Sequence, residues 1–206
     1  GGWVVPTKEM VDSYEAGDAR LPASIVVVEG YSEGDNFYYE SIKEAKGYQK
    51  PDGKTYHYMV KKYFHPPYSY SLRSTENFPI YRYAGALLLL SECLVKQGKN
   101  TEALPYINQV RTRAGIPPLS SCTLKDVSDE MRHELAYENH RWSDLKRTGL
   151  VKEVMTAHGQ RIKELHPWVK ATNNDGCYII DDFRMIYAIP TREIDINNLL
   201  EQNPGY

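Results

Sequence analysis

The sequence predicts a mainly helical fold in which tetratricopeptide-like helical hairpins carry a large irregular loop layer and a few short β-strands. Two observations support the helical part. Two helical segments with a glycine between them fill residues 78–114, and their small and large residues recur at the spacing of a tetratricopeptide hairpin. A third observation supports the loop layer, because residues 30–77 are rich in tyrosine, glycine and charge without a helical period.

The first 29 residues predict a short helix followed by a buried strand. Thr7 is a suitable N-cap for a helix that runs to about Glu15 and places Val11 and Tyr14 on one face. Gly17 and Asp18 would end that helix. The apolar run over residues 25–28 is typical of a buried strand within residues 21–28.

Residues 30–77 predict a loop-rich segment with short strands. Nine tyrosines lie between Tyr31 and Tyr70, and Phe37 and Phe64 lie among them. The sequence Pro51-Asp52-Gly53 predicts a turn, and residues 56–60 predict a strand that leaves this turn.

Residues 78–97 predict a helix that is apolar on nearly all sides. Gly98 would end it, and Asn100 or Thr101 would begin a second helix that stops at Ala114. A helix of this kind must be covered on several sides, and one hairpin cannot bury its own face. We therefore expect covering helices from the rest of this chain or from sequence outside it. The positions that fit the tetratricopeptide pattern are Leu87, Leu90, Ser91, Leu94, Ala103, Ile107 and Val110.

The remaining residues predict a third long helix and shorter elements. The helix would cover residues 126–147, and Gly149 would end it. Residues 150–157 and 160–165 predict short helices, residues 179–182 and 184–189 predict short strands, and residues 203–206 predict a turn. The apolar stripe of the long helix is Val127, Met131, Leu135, Trp142 and Leu145.

Composition excludes several classes of function. The net charge is −2, and the 25 basic and 27 acidic residues are interleaved, so the chain lacks the basic face that nucleic-acid binding needs. The three cysteines, Cys93, Cys122 and Cys177, show neither metal-ligand spacing nor a disulfide framework, and Cys93 is predicted in the core. The best apolar run, residues 83–90, is too short to cross a bilayer. The opening Gly1-Gly2 carries no signal peptide and indicates a processed, engineered or shortened chain.

Charged motifs in the third helix favour structure over chemistry. Glu138 and Arg141, and likewise Asp144 and Arg147, stand three residues apart, where opposite charges on a helix can meet. Trp142 belongs to the apolar stripe. A half-buried cluster of ion pairs that locks helices together accounts for these residues.

Metal binding and catalysis are not favoured. Glu130 and His133 form only half of a di-iron helix pattern, and no second half exists in the sequence. A glycosidase needs two carboxylates at a defined separation, which sequence does not measure. No nucleophile elbow or phosphate loop is present, and we expect neither enzyme activity nor a cofactor. The available carboxylates are Glu29, Glu33, Asp35, Glu40, Asp181 and Asp182.

The tyrosine-rich segment is the best candidate for a ligand site. Flat aromatic rings can cover the apolar faces of sugars while carboxylates and amides bond the rim of hydroxyls. Such a mixture occurs between residues 31 and 39. The alternative is that these tyrosines pack loops onto the helices. The candidate ligand-binding residues are Tyr31, Asp35, Asn36, Phe37, Tyr38 and Tyr39, with Glu33 beside them.

Five motifs follow one another in register from residue 6 to residue 206. They are Pro6-Thr7 with residues 11–15 and 17–20, residues 78–84 through 91–93, residues 102–104 with 107–115, residues 134–138 with 141–149, and Ile189-Pro190 with residues 193–194 and 202–206. Together these motifs resemble the SusD/RagB family of nutrient-binding proteins. Asn139-His140 departs from the family pattern before Arg141, which is a minor difference.

The resemblance implies that the chain is the C-terminal region of a non-catalytic protein that binds oligosaccharides, or peptides in the manner of RagB, at the outer-membrane surface. It implies a SusC-like TonB-dependent transporter as partner. The N-terminal half of the family and its lipid-carrying cysteine have no counterpart here, so a membrane link is expected only through an anchor outside this chain. The rival hypothesis is a helical scaffold that binds protein in a tetratricopeptide groove. Such a groove is lined by the helices themselves, so the aromatic segment would be surplus to it.

Overall fold

The computed structural model describes residues 5–67, 76–165 and 180–206. Within these ranges it contains eight α-helices, a short 3-10 helix and one three-stranded antiparallel sheet. The chain divides into two compact units at Arg141 and Trp142. No helix among the described residues combines the length and the apolar character that a membrane span requires.

The first unit begins with two short helices, α1 (Lys8–Ser13) and α2 (Arg20–Ser24). Thr7 caps α1, because its Oγ1 accepts a hydrogen bond from the backbone N–H of Met10 at 3.1 Å. Val11 and Tyr14 are buried, at 1% and 2% exposure, which confirms that they share the inner face of this segment.

The tyrosine-rich segment is more regular than the sequence predicts. Strands β1 (Ile25–Glu33), β2 (Asn36–Glu44) and β3 (Thr55–Val60) pair antiparallel in the order β2-β1-β3. The predicted strand over residues 25–28 is confirmed and extends to Glu33. The predicted turn is confirmed by a hydrogen bond from the Lys54 N–H to the Pro51 carbonyl at 3.2 Å. One face of the sheet packs on the N-terminal helices through Val11, Tyr14, Leu21, Ile25, Val27 and Ala45.

The predicted helical hairpin is confirmed as α3 (Tyr83–Lys96) and α4 (Asn100–Arg113), which pack on α5 (Leu124–Glu134). Gly98 ends α3 with φ of 76°, and the Lys99 N–H reaches the Leu94 carbonyl at 2.9 Å in a Schellman motif. The three helices share one core, which includes Leu88, Ala103, Ile107, Val127 and Met131.

Three details of the predicted hairpin are wrong. Helix α3 begins at Tyr83 and not at residue 78, since Arg82 is extended and its side chain turns to acidic residues elsewhere. Cys93 is exposed and is not a core residue. The helix is also not buried all round, because Tyr83 is 70% exposed and Leu90 is 41% exposed.

The predicted helix over residues 126–147 is two helices. Helix α5 ends at Glu134, and α6 (Arg141–Thr148) begins after a turn in which Tyr137 and Asn139 have φ of 66° and 61°. The break has a physical cause. The Glu134 carbonyl, which a continuous helix would use internally, accepts hydrogen bonds from the side chains of Lys62 at 3.1 Å and of Arg82.

The second unit contains α6 from Trp142 onward, α7 (Val151–Leu165), a 3-10 helix (Asp182–Met185) and α8 (Thr191–Ile196). Gly149 ends α6 with φ of 76°, as predicted. Two short helices were expected over residues 150–165, and a single continuous helix is found there.

The C-terminal residues are joined by hydrogen bonds between side chains and backbone instead of forming the predicted strands. Residue 179 lies outside the described residues, and residues 182–185 are helical, so the strand over residues 184–189 is wrong. Side chains supply the hydrogen bonds that a neighbouring strand would give. Gln202 bonds both the N–H and the carbonyl of Ile189, at 2.8 and 2.9 Å, and Asn203 donates to the Tyr187 carbonyl at 2.7 Å. The predicted terminal turn is confirmed by the bond from the Tyr206 N–H to the Asn203 carbonyl.

Candidate functional site: the distal end of the β-hairpin

The candidate ligand residues lie at the distal end of the hairpin formed by β1 and β2. A two-residue turn, Gly34-Asp35, joins the strands, and Glu33 pairs with Asn36 across it. Gly34 has φ of 59°, and a glycine with positive φ at the first turn position is favoured in tight hairpins. The aromatic cluster therefore stands on paired strands and not in a loop, which corrects the sequence-based expectation.

Tyr31 and Tyr38 form a stacked pair, here called the tyrosine pair. They are directly opposite each other on β1 and β2, with ring centroids 5.1 Å apart and an angle of 16° between the ring planes. They are 38% and 42% exposed. Because both positions are paired strand residues, the backbone holds the two rings together before any ligand arrives.

Phe37 and Tyr39 point to the other face of the sheet. Side chains alternate along a strand, so the two neighbours of Tyr38 face away from the tyrosine pair. The Phe37 ring meets the ring of His57 on β3 edge to face, with centroids 4.8 Å apart. Tyr39 is 60% exposed. The structure thus divides the four predicted aromatics between two faces.

The polar candidates lie at the tip. Asp35 is in the turn, and Asn36 is the first residue of β2. Both are exposed, as is Glu33. The tip therefore presents two carboxylates and one amide beside the tyrosine pair, which suits hydrogen bonding to hydroxyl groups.

A buried carboxylate lies at the base of this region. Glu29 is two residues before Tyr31 on the same face of β1, and it is 7% exposed. Its carboxylate accepts hydrogen bonds from the Tyr48 hydroxyl at 2.5 Å and from the Ser41 hydroxyl at 3.3 Å. The hydrogen bond from Tyr48 lowers the pKa of Glu29, and burial together with that bond raises the pKa of Tyr48 to about 12.

Tyr48 connects the base of the hairpin to a row of aromatic rings. Its ring centroid is 5.0 Å from that of Tyr56, which in turn lies 5.5 Å from that of Tyr58. Sequence reasoning did not assign Tyr48 a role. Its position in the loop between two strands gave no periodic signal, and only the fold brings it to Glu29.

Several of the carboxylates considered for catalysis have partners within the chain. Glu29 is held by Tyr48 and Ser41, Glu40 forms an ion pair with Lys54, and Asp182 forms one with Lys152 at 2.6 Å. The hydrogen bond from Tyr48 lowers the pKa of Glu29, so this carboxyl group is a poor general acid. Among the described residues, no group of acidic, histidine or cysteine side chains is arranged to hold a metal ion.

The motif residues of α5 and α6 have structural contacts. The predicted pair of Asp144 with Arg147 is confirmed at 2.7 Å. Glu138 instead binds Lys62 and Arg82, and Arg141 donates to the Ser128 carbonyl at 2.9 Å. Trp142 donates its indole N–H to the Tyr187 hydroxyl at 3.0 Å.

Glu130 and His133, the half-motif for a metal, face different neighbours. Glu130 binds Arg20 at 2.5 Å and Arg111 at 2.9 Å. His133 places Nε2 3.0 Å from the Ser13 hydroxyl. Cys177, the third cysteine, lies outside the described residues.

Comparison with known proteins decides the family. The model of the SusD family, SusD_RagB, matches residues 3–206. The chain belongs to the SusD family. The starch-binding protein SusD of Bacteroides thetaiotaomicron is 30% identical over 141 residues, which are 68% of this chain and 23% of that protein. SusD-like protein P38 of Formosa agariphila is 38% identical over 109 residues, which are 47% of this chain and 22% of that protein.

Two solved structures have a similar fold. Surface glycan-binding protein A from Bacteroides uniformis superposes with a TM-score of 0.60 at 26% identity, covering 95% of this chain and 39% of that one. A SusD superfamily protein from Bacteroides vulgatus superposes with a TM-score of 0.65 at 24% identity, covering 100% and 45%. The predicted mainly helical, tetratricopeptide-like fold is confirmed. The chain spans about a quarter of the length of its curated relatives and less than half of these solved chains.

Proposed function

We propose that the protein binds oligosaccharides at the cell surface without catalysis and delivers them to a SusC-like TonB-dependent transporter of the outer membrane. Membership of the SusD family supports this proposal. Members of the family are non-catalytic binding proteins and outer-membrane surface lipoproteins. Two similar proteins carry names that state starch binding and surface glycan binding.

The observation that carries the proposal is the tyrosine pair. Two nearly parallel rings, each more than a third exposed, present flat apolar surface to solvent. The C–H faces of a sugar ring can lie on such a surface, and the hydroxyls at the sugar's rim then need polar partners. Glu33, Asp35 and Asn36 stand at the adjacent tip and can bond them.

The partners of two neighbouring carboxylates support binding over catalysis. Glu29 and Glu40 are each committed to a partner within the hairpin region. A retaining or inverting glycosidase needs one carboxyl group that stays protonated near neutral pH. The hydrogen bond from Tyr48 moves the pKa of Glu29 in the opposite direction.

Two alternatives lead to different experimental results. A peptide ligand could use the same tyrosine pair, since an apolar ring face and a carboxylate also suit peptides. A tetratricopeptide scaffold would bind protein through helices α3 to α5 and would leave the hairpin unused. Perturbation of hairpin residues by a glycan, a peptide or neither separates these possibilities.

The test begins with a glycan array probed with the full-length protein, followed by calorimetric titration with maltoheptaose and the glycans that score on the array. We expect Y31A and Y38A to weaken binding by roughly tenfold to a hundredfold, since each removes an aromatic contact. Y81A is the matched control, because Tyr81 is 82% exposed and precedes α3, away from the hairpin sequence. Unchanged affinity in Y31A, Y38A, F37A and Y39A would place the ligand site elsewhere in the protein.

A further inference from the structure

We propose that Gly30 and Glu40 are positioning residues that fix which tyrosine of β2 stacks on Tyr31. Gly30 permits an irregular strand pairing, and Glu40 is the extra residue that creates it. Together they select Tyr38 over Tyr39. The inference deepens the proposed function, and it rests on that function only for its effect on ligand binding.

The pairing of β1 with β2 shifts by one residue in the middle of the hairpin. Towards the base, Glu29 is opposite Ser41, and towards the tip, Gly30 is opposite Tyr39. Glu40 therefore has no residue of its own opposite it on β1. This arrangement is a β-bulge, in which one strand carries one more residue than its partner.

Without the bulge, the candidate site would be built from different rings. If the pairing at the base continued unbroken, Gly30 would be opposite Glu40, and Tyr31 would be opposite Tyr39. A shift of one residue also turns every side chain of the shifted strand to the other face. Tyr38 would then leave the face of Tyr31, and the stacked pair would be lost.

Gly30 is the residue that tolerates the bulge. A Cβ atom at this position would lie 1.9 Å from the backbone carbonyl oxygen of Tyr38 and 3.0 Å from Cζ of Phe37. The first contact involves backbone and cannot be relieved by rotating a side chain. A residue larger than glycine at position 30 therefore forces β2 away from β1 at the point where the register changes.

Side-chain contacts hold the strands on the basal side of the shift and at the bulge itself. On the basal side, Ser41 bonds the Glu29 carboxylate, and Lys43 lies 3.9 Å from the same carboxylate. At the bulge itself, Glu40 forms its ion pair with Lys54, which precedes β3. The bulge is thus tied both to the central strand and to the turn before the third strand, which keeps the shift at one place.

The test uses G30A, deletion of Glu40, and the two changes combined, each in the full-length protein. Removing Glu40 gives a regular ladder in which Ser41 and Tyr39 become neighbours and Tyr31 still faces Tyr38. A regular antiparallel ladder has room for a Cβ at position 30. We therefore expect G30A to lower the melting temperature by roughly 4 °C or more alone, and by about 1 °C in the deletion background.

A second readout follows the register directly. Crystal structures of the variants, or ring-to-ring nuclear Overhauser effects, show which tyrosine contacts Tyr31. The deletion variant and the combined variant should keep the contact between Tyr31 and Tyr38, whereas G30A alone should lose it. If G30A does not fold, recovery of a folded protein by deletion of Glu40 supports the inference, and failure to recover overturns it. G30A with wild-type stability and an intact tyrosine pair also overturns it.

Binding separates this inference from the proposed function. Maltoheptaose and the glycans that score on the array are titrated into each variant. Loss of the tyrosine pair in G30A with full glycan affinity would refute the role of the pair in binding and leave the positioning role of Gly30 intact. Loss of both, with recovery of both on deletion of Glu40, supports the two together.

Discussion

The charged cluster around α5 and the distal end of the hairpin both contain many carboxylates, but they use them in opposite ways. In the α5 cluster, Glu130, Glu134 and Glu138 are buried, and each binds basic side chains from distant parts of the chain. At the hairpin tip Glu33 and Asp35 are exposed. The comparison indicates that the first region holds the fold together, whereas the second presents its carboxylates to solvent.

The α5 cluster joins five segments of the first unit. Glu134 alone binds Arg20 at 3.2 Å, Arg82 at 2.5 Å and Arg113 at 2.6 Å, and its side chain is 1% exposed. Burial raises the pKa of Glu134, but the hydrogen bond and charge of Arg82, with the charges of Arg113 and Arg20, outweigh burial and lower it. The full cluster comprises Glu15, Asp18, Arg20, Lys62, Arg82, Arg111, Arg113, Glu130, Glu134 and Glu138.

The hairpin is held together in a different way from the α5 cluster. Its geometry is fixed by backbone pairing and by small residues, and not by burial of its tip. Side chains there can be replaced with little loss of core contact, so changes should appear in affinity and not in stability. The predictions below test this division, beginning with the largest expected change in the free energy of unfolding.

Replacement of Glu134 by glutamine should cost about 3–5 kcal/mol of unfolding free energy. Glutamine keeps the shape of the side chain but removes the charge that compensates three guanidinium groups, and breaking a buried ion pair is strongly destabilising. Denaturant titration of the full-length variant measures this loss. The ligand affinity of whatever fraction folds should be unchanged.

E33Q is the matched control for E134Q. It makes the same chemical change at an exposed carboxylate of the hairpin tip, and surface substitutions of this kind usually stay within about 0.5 kcal/mol. Equal stability of E33Q and E134Q would show that the α5 cluster contributes no more than the surface does.

The sequence predicted helix ends well where a glycine is required. Gly98 and Gly149 both take positive φ, which an L-residue rarely adopts, so their positions marked the ends of α3 and α6. The prediction failed where side chains supply hydrogen bonds that backbone groups would otherwise make. Lys62 and Arg82 are distant in sequence from Glu134, so the break after α5 had no local signal. The prediction of a strand over residues 184–189 is wrong for the same reason, since the hydrogen bonds there come from the side chains of Gln202 and Asn203.

The candidate site was predicted by composition and not by arrangement. Alternation within a strand separates Tyr38 from its neighbours Phe37 and Tyr39, but a loop interpretation did not impose that alternation. The bulge at Glu40 could not be predicted from the sequence either, because it depends on which residue of β1 pairs with each residue of β2. Composition therefore predicted where the aromatic cluster lies in the sequence. Its division between two faces of the sheet became known only from the register of β1 and β2.

As the pH falls, the unfavourable protonation of His133 should lower stability at a higher pH than protonation of the carboxylates does. Burial lowers the pKa of His133 to about 4, and the charges of Arg20 and Arg132 act in the same direction, against Asp18 and Asp129. The unfolded chain takes up this proton near pH 6.5, so it binds more protons than the folded chain between about pH 6.5 and 4. Stability should therefore fall as pH falls through this window, by about 2 kcal/mol at pH 5.

H133Q separates this effect from that of the carboxylates. Asp18, Glu134 and Glu138 have pKa values below their ordinary ones, so their contribution is lost only at more acidic pH. Denaturant titrations at pH 7.5, 6 and 5 should show a slope in the natural protein and a nearly flat profile in H133Q. A slope that survives in H133Q would assign the acid sensitivity to other groups.

The smallest change in the free energy of unfolding is expected for Asp144, whose ion pair is intermediate between the buried α5 cluster and the exposed hairpin tip. Its side chain is 9% exposed and is therefore buried like that of Glu134, but its partner Arg147 is 36% exposed. Loss of the carboxylate leaves a guanidinium that water can solvate, so D144A should cost about 1 kcal/mol, near the range of surface ion pairs. If burial of the carboxylate alone set the cost, D144A would match E134Q.

R147A is the control, because it removes the other member of the same pair. Both variants should keep full ligand affinity, and a loss of binding in D144A at unchanged stability would mean that Asp144 belongs to a ligand site and not to the framework.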